Sequence, residues 1–182
     1  IQAAWWAEEI GRLRQGEPRH PIARATQTHC DSPAMAETMM SLVACTQRIA
    51  TVTFDAVDES QRSYAAFGVA FAQLLLSAQS IDDTTAAESA TTLCALLAQG
   101  GFAAEHLSGD TRAHRLGELL VSLNQQPRAF GTNDWPLLSL QVERRISVAQ
   151  YLRVLREKSA TITPLRKFFI AWRTQRTAKH QR

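Results

Sequence analysis

The chain has 182 residues, 45% of them apolar, with 20 Lys and Arg against 17 Asp and Glu; that suits one core of ordinary domain size and excludes a disordered, charge-dominated chain. Only 8 Gly and 6 Pro interrupt a sequence rich in Ala, Leu, Gln, Arg and Glu, so long helices are favoured over many short strands. No apolar run approaches the roughly 18–20 residues that cross a bilayer, and Cys30, Cys45 and Cys94 stand too far apart for a zinc site or a disulfide framework, which makes a reducing cytoplasm the expected compartment.

The net charge of +3 is unevenly distributed: residues 143–182 hold 11 Lys and Arg against 2 Glu, or +9, which leaves −6 for the preceding 142. A basic segment of this kind is either a solvated helix face or a surface for phosphates, anionic lipid or an acidic partner. The first residue is Ile1, inside a stretch that already has helical spacing, so part of the N-terminal region is expected to be missing.

In chain order, Trp6, Ile10 and Leu13 give a first helix that Gly16-Glu17-Pro18 ends, and Pro21 suits the first turn of a second. Ser32-Pro33 reads as a cap followed by proline at the first helical position; Met35, Met39, Leu42, Val43 and Ile49 form the core stripe of a third helix ending near Thr53. Asp58 is the expected cap of a fourth, with Tyr64, Phe67, Phe71, Leu74 and Leu75 as its apolar stripe. Thr85 and Glu88 have capping-box spacing, and the helix they open is expected to stop at Gly100-Gly101. Asp110 is the expected cap of a sixth helix bearing Leu116, Leu119, Leu120 and Leu123; a loop follows from Gln125 to Asn133. Asn133 or Asp134 precedes a helix carrying Leu137, Leu140, Val148, Tyr151, Leu152 and Leu155, and Thr163-Pro164 opens a last one with Leu165, Phe168, Phe169 and Trp172 on one side. The expected organisation is one helical domain over 1–176 with a frayed tail at 177–182.

The segment from Trp5 to Ala25 contains W-x-x-E-I at Trp6, Glu9 and Ile10, a turn with Gly16 and Pro18, then His20-Pro21 and a second helix. In this order it resembles the squalene/phytoene synthase family over about 25 residues. Gly68, Ala70, Gln73 and Leu74 are similar to that family's G-x-A-x-Q-L helix with one residue extra. The resemblance implies an all-α, class I isoprenoid-synthase-like bundle, prenyl diphosphate substrates condensed head-to-head, and Mg²⁺ held by two D-x-x-x-D pairs. Such pairs put two carboxylates on one helix face, where hard oxygen ligands hold the metal over the departing diphosphate. It makes Glu9, Arg12, Arg19, His20 and Gln73 candidate substrate-binding residues, and Asp82 and Asp83 candidate metal ligands.

The chain departs from the pattern where the metal should sit. One aspartate motif would fall before Ile1; at the other, Gln79 and Ser80 occupy the family's Arg and Asp positions. Asp82 and Asp83 are adjacent, so on a helix they diverge by about 100° and form no shared face; a helix N-cap accounts for them without a metal. One of Glu8 and Glu9 is expected to face the interior, and with Arg12 three or four residues on it reads as an ion pair or as a catalytic acid and its partner; His20 reads as a turn-stabilising group or a proton carrier. The basic, aromatic last helix suits docking on the chain's own core or on an anionic membrane surface. Nucleic-acid signatures are not found. The expectation is therefore a family-like protein with a degenerate second aspartate motif that binds an isoprenoid or acts without catalysis. The alternative is an active, Mg²⁺-dependent prenyl-diphosphate transferase.

Overall fold

The computed structural model describes residues 2–29, 33–51, 57–77, 83–126, 135–156, 164, 167–171 and 174, and helix is the only regular structure among them. The chain is all-α. It divides into two compact units, Ile1–Asp82 and Asp83–Arg182. The expected caps Ser32, Asn133, Asp134 and Thr163, together with Gln79, Ser80, Asp82, Trp172 and the tail 177–182, lie outside the described residues.

The N-terminal unit contains α1 (Gln2–Arg14), α2 (Pro21–His29), α3 (Pro33–Thr51) and α4 (Val57–Ser77). Helix α1 stops where the sequence says it should. Gly16 takes φ +79°, a left-handed backbone that suits glycine; its N–H reaches Leu13 O at 3.1 Å while Glu17 N–H reaches Arg12 O at 2.9 Å, so two terminal carbonyls are satisfied. Helix α3 packs against α4 and α1, and α1 against α2. The expected stripe of α4 is not what that helix buries. Ser60, Ser63, Gly68, Ala70 and Ala72 are buried, while Phe71 is exposed and Tyr64, Phe67, Leu74 and Leu75 are half-buried. Small side chains give α3 a close approach, and the large ones are left around the contact. Asp58 lies within the first turn of α4 rather than ahead of it.

The C-terminal unit is built on α5 (Thr84–His106), which packs against both α6 (Gly109–Gln125) and α7 (Trp135–Leu155). Leu93, Phe102, Leu116, Leu123 and Leu137 are almost completely buried. Three expectations about helix ends are corrected. The N-cap of α5 is Asp83, the role expected for it in place of a metal ligand: its Oδ1 accepts from Thr85 N–H at 3.0 Å and Ala86 N–H at 3.1 Å, so the capping box is what fails, with Thr85 inside the helix and Glu88 too far along to close it. Helix α5 also runs straight through Gly100 and Gly101 to His106. A methyl group at Gly100 would overlap the ring and hydroxyl of Tyr151, which donates to Leu97 O at 3.2 Å. The glycine serves close helix approach, not termination. Finally, α6 starts at Gly109 after Ser108, and Asp110 sits in its first turn, where its charge suits the helix dipole.

In α7 the expected Leu137, Leu140 and Tyr151 are buried together with Ile146, whereas Leu152 is exposed. Beyond it, Phe168 and Phe169 are 64% and 60% exposed rather than docked on the core. Thr174 is buried, accepts from Arg145 Nη1 at 3.1 Å and donates to Ile170 O at 2.7 Å.

Candidate functional site

The segment that carries the resemblance folds into α1, a tight turn and the start of α2. Four of the candidate residues meet there. Glu9 is buried on the inner face of α1; its Oε1 accepts from the backbone N–H of Arg19 and of His20, each at 2.6 Å, and its Oε2 accepts from Arg12 Nε at 2.9 Å. Its neighbour Glu8 faces water and lies 3.9 Å from the same guanidinium. The helical period explains the split, because consecutive residues turn by about 100° and only one of two adjacent acids can point inward.

His20 caps α2: its carbonyl accepts from Arg24 N–H at 3.0 Å, and its Nδ1 accepts from Ile22 N–H at 3.2 Å. Its ring stands edge-on to both Trp5 and Trp6, with centroids 5.2 Å away in each case. The turn is drawn tighter by Arg24 Nε on Pro18 O and by Gln27 Nε2 on Gly16 O, both at 3.2 Å. Gln73, by contrast, is exposed on α4, which packs chiefly against α3.

The Glu9 carboxyl is held below its ordinary value of 4.5. The main cause is the His20 N–H bond; burial pushes the other way, and Arg12 and the Arg19 N–H add to the lowering. A carboxylate whose two oxygens already accept three donors is poorly placed to exchange protons with a ligand. This arrangement therefore clasps a turn. A pairing of Arg12 with Glu8 or Glu9 was legible from spacing, but not which acid turns inward, nor the two backbone donors ten and eleven residues on, because backbone N–H groups leave no mark in residue type.

Asp83 is committed to the N-terminus of α5 through the two bonds described above. Among the described residues no three His, Cys, Asp or Glu come together as a ligand set. A hard divalent cation over a diphosphate requires clustered carboxylate oxygens, and the described residues offer it Asp83 with one oxygen already engaged. They do not fit Mg²⁺, and no step is derived through it.

What the first unit does offer is an apolar groove of about 270 Å³, walled by Trp6, Ile10 and Leu13 from α1, Ile22 and Ala23 from α2, and Met39, Leu42 and Val43 from α3. Thr26 and Thr46 are its polar edges. Small-molecule sites usually run from roughly 300 to 1,000 Å³ and are mostly apolar with a few polar groups, so a groove of this size suits a slender apolar chain. Sequence periodicity assigns the α1 and α3 walls to core stripes; Ile22, 61% exposed, and the exposed Thr46 mark the opening. No family model, curated protein or solved structure matches the chain.

Proposed function

We propose that the protein is a squalene/phytoene synthase-like helical protein that works without diphosphate chemistry and holds an isoprenoid chain in the groove between α1, α2 and α3. The observation that carries this reading is the groove itself, apolar and formed by α3 together with the two helices whose sequence resembles the family. The acid of that motif, Glu9, supports the reading from the other side: it is engaged in the fold and does not face a substrate. Binding would be driven by burial of alkyl surface, at roughly 25 cal/mol per Å² removed from water.

Calorimetric titration of the full protein with farnesol tests this. Saturable binding is expected, and Thr46→Phe, at the exposed edge of the groove, should abolish it while leaving the melting temperature in place. No binding of farnesol, or equal binding by the variant, would refute the groove as the site. Incubation with Mg²⁺ and labelled farnesyl or geranylgeranyl diphosphate should release no pyrophosphate; release together with a C30 or C40 hydrocarbon would restore the transferase reading.

A protein that takes its ligand from lipid would meet a membrane surface. The exposed Phe168 and Phe169 beside Lys167, in a segment of net charge +9, suit an anionic one. Co-sedimentation with phosphatidylserine-containing vesicles and not with phosphatidylcholine vesicles is the expected result.

A further inference from the structure

A second pocket, of about 360 Å³, opens in the C-terminal unit between the last turn of α6 and the middle of α7. Its polar wall is Asn124, Gln141, Arg144 and Arg145. No carboxylate is among its described lining residues. We propose that this pocket binds an amphiphilic oxyanion, a phosphate or carboxylate head carrying a short alkyl chain.

The chemistry follows from the side chains. Arg144 and Gln141 are 8% and 5% exposed, a degree of burial that arginine seldom reaches unless its charge is compensated. Both have partners within the fold, and Arg145 donates to Thr174. A guanidinium carries five N–H donors, and the bond from Arg145 to Thr174 is made through Nη1. Two cations and two carboxamides around one cavity form a donor set that matches the acceptor oxygens of a phosphate or carboxylate, and such charge-assisted bonds are about twice as strong as neutral ones.

The tail is inferred from the same face of α7, further towards its C-terminus. Val148 and Leu152, one turn apart on α7, line the same pocket, and Leu152 is 41% exposed at its edge. A free inorganic anion would leave that surface in water; an alkyl chain would cover it. The site lies in a different unit from the α1–α3 groove, so neither reading depends on the other.

The test is calorimetric titration of the full chain at low salt with octyl phosphate, octanoate, inorganic phosphate and octanol. At least one of the two anionic amphiphiles should bind, and more tightly than either inorganic phosphate or octanol; which of the two prevails distinguishes a phosphate from a carboxylate ligand. Arg145→Gln and Asn124→Asp should each weaken that binding by about tenfold or more, the first by removing a charged donor and the second by placing an anion in the wall. Asn124 is exposed, so Asn124→Asp keeps the test sound if loss of the Thr174 bond unsettles the other variant. Thr46→Phe should leave this binding unchanged. Absence of binding by both amphiphiles, equal binding by octanol, or wild-type binding by Asn124→Asp would overturn the proposal.

Discussion

The two units organise themselves by opposite means. In the N-terminal unit a charge sits at the centre of the local structure: Glu9 gathers Arg12 and the backbone of Arg19 and His20, and the turn between α1 and α2 is built around that carboxylate. In the C-terminal unit the decisive contact is steric, the ring of Tyr151 lying where Gly100 has no side chain. A buried charge fixes direction but depends on every donor staying in place; close apolar packing tolerates changes of charge and is sensitive to a single methyl group.

The largest expected effect is therefore Glu9→Ala. It leaves the N–H groups of Arg19 and His20 without their acceptor, and the melting temperature should fall further than for any other single variant considered below. Hydrogen exchange should rise first in residues 5–25. Retention of wild-type protection there would mean that the turn holds without its carboxylate.

Titration sharpens the contrast, because the two units should fail at opposite ends of the pH scale. Glu9 is depressed in the folded state, so its contribution is complete above the unfolded value of 4.5 and is lost as pH falls through the lower folded value. Cys94 is pushed up to about 12 from 9.0 by burial. Tyr151 is pushed up to about 12 from 10.0, chiefly by burial, with a Ser147 hydrogen bond opposing and the Glu105 charge adding. Their contribution is complete below the unfolded values and erodes as pH rises from about 9 towards 12. Exchange monitored by unit should show residues 5–25 opening in acid and residues 90–151 in alkali. Glu9→Gln should remove the acid dependence alone.

Gly100→Ala comes next. Overpacking costs roughly 1–3 kcal/mol, against a gain of about 1 kcal/mol from replacing glycine inside a helix. Net destabilisation is expected by urea unfolding, and the sign should reverse when Tyr151 is replaced by Ala, since the overlap is then gone. A smaller effect, about 1 kcal/mol, is expected for Asp83→Ala through loss of the α5 cap, with Thr85→Ala near zero. Equal losses for both would return the capping role to Thr85. The smallest is Ser60→Ala. Its buried Oγ has no hydrogen-bond partner among the described residues, so the variant should be neutral or more stable by up to about 1 kcal/mol.

Much of the helical layout was readable in residue order. The Gly16 stop, Pro21 and Pro33 at first helical positions, and the leucines of α6 all follow from local chemistry, in which each residue acts on a backbone within one turn of itself. Errors arose where a residue type serves two purposes. Gly100 looks like a stop because glycine commonly ends helices, yet here it admits a tyrosine 51 positions away. Phe71 and Leu74 look like core because they are large and apolar, yet α4 turns its small residues inward. Of the candidate site, a pairing of Arg12 with Glu8 or Glu9 was recognisable from a three- or four-residue spacing, whereas the α1–α3 groove was not, since its walls come from three helices.

Residue order by itself determined that this chain is helical, where α2 and α3 begin, and that its positive charge is concentrated in the last forty residues, because these depend on composition and on propensities that act over a few ångströms. Tertiary structure alone decided which of two adjacent glutamates is buried, that Gly100 lies inside a helix, and that an apolar groove stays open beside the turn. Those outcomes depend on which distant groups arrive as neighbours, and packing sets that.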